Sequence, residues 1–174
     1  MADTQNSQLL STAQAEQARS QAEEDPASPR PRAQLALHCW RAGQFEEAME
    51  WIDSCLELDE SNLDFYRIKA NVLADMKLSG RALETAMGAL ASAPGSVTAR
   101  ILAVRMMLAD LQPRKAQSML DSILALEPGD QELGHVKFLQ AQIVNMIHQA
   151  ENDPLRWLSR KLKSRLSNVA GESG

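Results

Sequence analysis

The sequence has 174 residues, of which 44% are hydrophobic and only 4% aromatic, and its formal net charge is −5 at pH 7. No apolar run approaches the eighteen or so residues of a membrane span. The first residues lack the basic and apolar regions of a signal peptide, and two cysteines do not make a disulfide framework. We expect both cysteines to be free thiols in a reducing cytoplasm. Since strong helix formers dominate and strand-favouring runs are missing, we expect an all-α protein.

The segment over residues 1–28 is rich in Gln, Ser, Ala and Glu and contains few large apolar side chains. Such a composition buries too little apolar surface to offset the entropy of ordering. Pro26, Pro29 and Pro31 then interrupt helix continuation. The sequence predicts a disordered N-terminal tail over residues 1–28, with transient helix around Gln8–Gln21.

From residue 29 onward the sequence repeats at a fixed interval of about 34 residues, here called the repeat length. Leu56, Leu90 and Leu124 are spaced by one repeat length each, and so are the turns LELDESN, LASAPGS and LALEPGD that follow or include them. A fixed period in the range of some tens of residues is typical of a solenoid. The predicted repeats cover residues 29–62, 63–96 and 97–130.

Each repeat divides into two amphipathic helices joined by a short loop, around Gly43, Ser79-Gly80 and Gln112-Pro113. Asn62, Ser96 and Asp130 stand where N-caps are expected. Ala48, Ala82 and Ala116 occupy one column of the repeat. Small side chains there let neighbouring helices approach closely.

Residues 131–150 form one longer apolar-patterned segment with no second-helix turn after it. We expect this segment to be a capping helix that covers the exposed face of the third repeat, as solenoids require.

The repeats resemble the tetratricopeptide repeat family, whose pattern places small, bulky and proline residues at fixed spacing. The matching residues of the middle repeat are Tyr66, Ala70, Leu73, Ala82, Ala86 and Pro94. The resemblance implies a short right-handed superhelical solenoid over residues 29–150, which binds proteins on a concave face lined by the first helix of each pair. It places these residues on that face: Leu37, Trp40, Arg41, Arg67, Asn71, Ala74, Asp75, Ile101, Arg105, Leu108, His135 and Leu139.

The C-terminal segment, residues 151–174, contains a basic amphipathic helix. Residues 154–169 include five Lys or Arg and no acidic residue, whereas residues 33–153 carry 10 basic against 17 acidic residues. Leu155, Leu158 and Leu162 begin an apolar stripe. Three interpretations stay open: the stripe packs on the capping helix, it binds a partner or a second copy, or it lies on an anionic membrane with Trp157 at the interface.

Residues for catalysis or for cofactor and metal binding do not form a pattern in this sequence. His38, His135 and His148 have no ligand-like spacing, and Cys39 and Cys55 fall at packing positions. Motifs for phosphate binding or nucleophilic catalysis are missing. We therefore expect no enzyme activity, no cofactor and no metal, and the charge pattern argues against nucleic acid as the partner.

The functional hypothesis is an adaptor, scaffold or assembly chaperone that binds another protein. The alternatives are a peripheral membrane component docked through residues 154–169, or a non-catalytic subunit of a polysaccharide or secretion machine. The candidate partner-binding residues are Trp40, Arg41, Arg67, Asn71, Arg105, Trp157, Arg160 and Lys161.

Overall fold

The computed structural model describes the backbone of residues 2–171 and the side chains of residues 13–164. Every regular element in that part of the chain is a helix, which confirms the all-α prediction. The helices are α1 (Ala2–Glu24), α2 (Pro29–Arg41), α3 (Phe45–Leu58), α4 (Leu63–Asp75), α5 (Ser79–Ser92), α6 (Val97–Ala109), α7 (Pro113–Leu124), α8 (Asp130–Asn152) and α9 (Pro154–Gly171).

The chain divides into two compact units, Met1–Val72 and Leu73–Gly174, with the boundary inside α4. In the first unit α2 packs on both α1 and α3. An ion pair of 2.7 Å between Lys69 Nζ and Asp53 Oδ1 joins α4 to α3. In the second unit α6 packs on α5, α7 and α8, while α9 contacts α8 and α5.

The small residues of the repeat lie at the centre of each helix pair. Ala48, Ala82 and Ala116 are 0% exposed, as are Ile52 and Leu120 one turn further along. A larger side chain in the alanine column would overpack the contact at a cost of about 1–3 kcal/mol. The complete burial of these alanines is what the predicted close packing of the helices requires.

The first helix of each pair ends in the same left-handed turn. Gly43, Lys77 and Leu111, which are spaced by one repeat length each, have φ values of 77°, 66° and 55°. In each turn the following amide donates to a carbonyl five residues back, at 2.8–2.9 Å, as in Gln44 N–H to Cys39 O. This is the Schellman motif, and it satisfies carbonyl groups that the helix end would leave unpaired.

Helix starts are capped by different groups in different repeats. Ser96 Oγ accepts from the Ala99 amide at 3.2 Å, so its predicted role as an N-cap is confirmed. Asp130 is the first residue of α8 rather than its cap. Gly129 occupies the cap position, and Glu132 Oε2 accepts from its amide at 3.2 Å. The acidic side chains in this first turn also interact favourably with the positive end of the helix dipole.

The prediction of a disordered tail over residues 1–28 is wrong where side chains are described, because α1 packs on α2. Ala18 is 2% exposed and Ala22 is also buried. Arg19 Nη2 lies 3.0 Å from Glu47 Oε1 on α3. Small side chains let α1 approach its neighbour closely, so a helix with few large apolar groups still gains packing.

The periodicity in fact begins before residue 29. Ala18 precedes Ile52 by one repeat length, and Pro26 precedes Glu60 by the same interval. The turns correspond too: Arg32 Nη2 donates to Pro26 O at 2.8 Å, and Arg100 Nη2 donates to Pro94 O at 2.9 Å. Helix α1 therefore stands where the second helix of a preceding repeat would stand.

Replacing Ala18 by Asp tests the packing of α1. We expect the free energy of unfolding to fall by about 1–3 kcal/mol, since the carboxylate would be buried without a partner. The matched control is Ala13→Asp on an exposed position of the same helix, with an effect within about 0.5 kcal/mol. Urea unfolding followed by circular dichroism measures both variants, and equal effects would contradict a packed α1.

Replacing Lys77 by Gly tests the strain in the left-handed turns. Lys77 is an exposed residue with a φ of 66°, a conformation that costs other residues about 1 kcal/mol or more relative to glycine. We expect Lys77→Gly to raise the free energy of unfolding by about 0.5–1 kcal/mol. Lys77→Ala keeps the Cβ atom, so a comparable gain in that control would assign the effect to the lost lysine side chain.

Candidate functional site

The predicted groove residues lie on the first helices of the pairs, and they differ in exposure. Arg41 on α2 and Arg105 on α6 are exposed, whereas Trp40 and Asn71 are half-buried. Arg67 on α4 directs both Nε and Nη2 at Asp64 Oδ1, at 3.0 and 2.9 Å. Its side chain is still 43% exposed, so the guanidinium group retains a surface on which a partner can bind.

Two positions expected on the binding face are buried instead. Leu108 is 7% and Leu139 is 3% exposed, and both belong to the core of the second unit. The reason lies in the orientation of α8, which directs Leu139 and Ile143 into that core, together with Val136. Helix α8 thus buries positions that the repeat pattern assigns to the open face.

As a consequence, α8 exposes the face that a second helix would cover. Phe138 lies one repeat length after Val104 in the sequence, yet Phe138 is 64% exposed where Val104 is 0% exposed. Val144 on the same helix is also exposed. A shallow depression of about 550 Å³ runs along this helix. It is lined by Lys137, Gln140, Ala141, Val144, Asn145 and His148.

The leucine stripe of α9 faces solvent, contrary to the first interpretation, in which it packs on the capping helix. Leu155, Leu158 and Leu162 are 81%, 53% and 61% exposed, so the stripe does not pack on the capping helix. Trp157 and Lys161 are half-buried, and the Arg160 guanidinium lies over the Trp157 ring, 6.0 Å from its centroid. Arg160 Nη1 also donates to Gln149 Oε1 at 3.4 Å.

The inner side of α9 is fixed by a polar cluster, here called the Ser79 cluster, of Ser79, Asp110 and Ser164. Ser79 Oγ donates to Asp110 Oδ1 at 2.7 Å and lies 2.8 Å from Ser164 Oγ. Ser79 is buried at 6% exposure. Because an unpaired buried hydroxyl is costly, the cluster favours one position of α9 against α5 and the α6–α7 turn. The amide of Arg156 donates to Asp153 Oδ1, so Asp153 caps the start of α9.

A second depression, of about 500 Å³, lies in the second unit. It is lined by Leu90, Pro94, Arg100, Lys115, Ser118, Met119 and Ser122. The Arg100 guanidinium donates to Ser122 Oγ at 3.0 Å and to the Pro94 carbonyl oxygen. This arginine therefore holds the preceding turn against α7.

The two cysteines are buried free thiols. Burial raises the pKa of the Cys55 thiol to about 11, although the Arg32 guanidinium acts in the opposite direction. Burial and the Glu47 carboxylate raise the pKa of Cys39 as well. The thiolate is the reactive form of cysteine, so both side chains are poor nucleophiles at neutral pH.

Among the described residues, no three His, Cys, Asp or Glu side chains are grouped so that they could hold a metal ion. Within the same part of the chain, no helix has the length and apolar character needed to cross a bilayer.

No protein-family model matches the chain, and no curated protein matches it. Solved structures do match. TTC0263, a thermophilic tetratricopeptide repeat protein of Thermus thermophilus, superposes with a TM-score of 0.60 at 17% identity, over 87% of this chain and 89% of that one. MamA from Desulfovibrio magneticus RS-1 superposes with a TM-score of 0.57 at 19% identity, over 88% of this chain and 84% of that one.

YrrB, a tetratricopeptide repeat protein with an unusual peptide-binding site, superposes with a TM-score of 0.56 at 16% identity, over 92% of this chain and 100% of that one. The fold of the chain is therefore that of the tetratricopeptide repeat solenoids, as the resemblance implied. At this level of identity the similarity establishes the fold.

The raised pKa of Cys55 predicts a loss of stability at alkaline pH. The unfolded thiol releases its proton near pH 9 and the folded one near pH 11, so the stabilisation is complete below pH 9 and is lost as the pH rises to 11. A shift of this size corresponds to about 2–3 kcal/mol.

To isolate the contribution of this thiol, the pH dependence of the wild type is compared with that of Cys55→Ala. We expect the free energy of unfolding of this variant to fall less steeply between pH 9 and 11, as measured by urea unfolding at each pH. Parallel slopes for the two proteins would contradict the assignment to Cys55.

Proposed function

We propose that this protein is a non-catalytic adaptor that binds another protein through the first helices of its repeats. The observation that carries the proposal is the tetratricopeptide fold combined with arginine side chains that reach solvent from those helices. Arg105 is exposed, and Arg67 keeps 43% of its side chain exposed beside Asp64. Scaffold and assembly-chaperone roles both fall within this proposal.

The composition of these faces supports a peptide or protein as the ligand. Arginine and tryptophan are enriched among residues that contribute most to binding energy, and Trp40 is half-buried next to the exposed Arg41. A ring held partly in the fold loses little entropy when a partner covers it, and neighbouring guanidinium groups bind carboxylates or carbonyl oxygens. The peptide-binding site of YrrB, a protein of the same fold, is consistent with such a ligand.

The exposed arginines can be tested one at a time with a matched control. We expect Arg67→Ala and Arg105→Ala each to raise the Kd for the partner by about tenfold, equivalent to about 1.4 kcal/mol of binding free energy. Arg114→Ala serves as the control, because Arg114 is equally cationic but lies on a second helix, α7, with its side chain 82% exposed. Circular dichroism should show unchanged helicity in all three variants.

The measurement begins with tagged full-length protein in native lysate, with captured proteins quantified by mass spectrometry for the wild type and each variant. The Kd of the enriched partner is then measured by calorimetry. A partner that binds all three variants as tightly as the wild type would contradict binding through the first helices. A partner lost only with Arg114→Ala would place the interface on the second helices.

A further inference from the structure

The leucine stripe of α9 is apolar, exposed and fully formed while the helix is docked. Leu155, Leu158 and Leu162 follow one another at spacings of three and four residues, which places them on one side of a helix. The sequence continues this spacing with Leu166 and Val169, whose side chains lie beyond the described ones. The stripe therefore needs no unfolding or detachment of α9 to become available.

The opposite side of α9 is already occupied. Trp157 and Ser164 are separated by seven residues, or two helical turns, and so share a side. Ser164 meets Ser79 on that side, and Arg160 covers the Trp157 ring. Since the inner side has its own polar and aromatic contacts, the outward stripe is a separate surface. Contact with α8 or α5 does not explain it.

The charges on α9 determine which occupant fits the stripe. Arg156 and Lys163 are exposed, and residues 154–169 contain five basic residues without an acidic one. Two copies of this stripe placed face to face would bring the basic residues of both helices together, and like charges repel. An anionic surface instead attracts the same residues while its apolar layer accepts the leucines.

We propose that α9 binds the surface of an anionic lipid bilayer, with its leucine stripe inserted below the headgroups and its flanking basic residues at the lipid phosphates. The helix lies in the plane of the interface, and Trp157 stays on the protein side instead of anchoring in the membrane. This binding is additional to the adaptor function, and it does not depend on the residues of the first helices. It places the repeats at a membrane surface.

Net negative charge on the remainder of the chain does not prevent this binding. At physiological ionic strength the Debye length is about 8 Å, so only charges close to the lipid contribute strongly. The basic residues of α9 meet the headgroups first when the stripe inserts. Binding is consequently expected to weaken with added salt, because part of the attraction is electrostatic.

Vesicle sedimentation with the full-length protein tests the proposal directly. The probes are phosphatidylcholine vesicles with about 30% phosphatidylserine, whose anionic headgroups attract basic residues, and vesicles of phosphatidylcholine alone. We expect the wild type to bind the anionic vesicles at least tenfold more tightly than vesicles of phosphatidylcholine alone, because each basic residue near the surface raises the affinity several-fold. The double variant Leu158→Glu/Leu162→Glu should bind the anionic vesicles at least tenfold more weakly than the wild type.

The matched control is Leu124→Glu/Leu126→Glu, which changes two leucines that are 41% and 44% exposed outside the stripe. This control should bind the anionic vesicles like the wild type. A second variant, Arg156→Gln/Lys163→Gln, retains the stripe and should lose about tenfold of the affinity for anionic vesicles. Circular dichroism of every variant confirms that the helices are intact before binding is compared.

Three results would overturn the proposal. The first is no sedimentation of the wild type with anionic vesicles. The second is equal sedimentation of the wild type and Leu158→Glu/Leu162→Glu. The third is a lipid-free dimer, seen by sedimentation velocity and dissolved by the same substitutions, which would assign the stripe to a second copy. Failure of these tests would leave the Arg67 and Arg105 experiment unaffected, so the two functions fail separately.

Discussion

The left-handed turn that closes the first helix of each pair is the constraint on which the repeat depends. It recurs at Gly43, Lys77 and Leu111 with the same backbone hydrogen bond from the following amide to a carbonyl five residues back. The turn fixes where the second helix begins, and thereby which of its residues meet the first helix. The fully buried alanines at positions 48, 82 and 116 follow from that geometry, because each comes five residues after its turn residue. A non-glycine residue is retained at two of the three turns despite its backbone cost.

The same geometry accounts for the surfaces available for binding. In a repeat of two helices the second helix covers one face of the first, and the remaining face is left to solvent or to a partner. Arg105 illustrates the open face, since it is exposed between buried neighbours on α6. Among the described residues, no helix covers the Phe138 side of α8, so Phe138 reaches solvent where the equivalent Val104 is buried. Helix α9, which follows in the chain, contacts α8 and α5 without burying Phe138, and it turns its own apolar stripe outward.

Most of the repeat could be predicted because its information is local. The regular spacing of the leucines, alanines and turns predicted the helix pairs, and Ser96 was identified correctly as a cap. Transient helix was predicted around Gln8–Gln21, but the packing of α1 was missed because the buried side chains are alanines such as Ala18, which carry little apolar signal. The spacing of Pro26 from Glu60 was the available clue. Sequence periodicity also predicted the stripe of α9 but not its direction, because a pattern within one helix does not specify what that helix packs against.

The position of α9 has a consequence for the order in which the second unit assembles. Ser79 and Ser164 are 85 residues apart in sequence, whereas most contacts in a repeat array join neighbouring elements. Closing so long a loop costs conformational entropy before any contact repays it. The hydroxyl of Ser79 meets Asp110 at the α6–α7 turn, so that turn must be in place to complete the cluster. Folding of the second unit is therefore expected to proceed from helix pair to helix pair at the rapid rates typical of local contacts, with docking of α9 as a later and slower step.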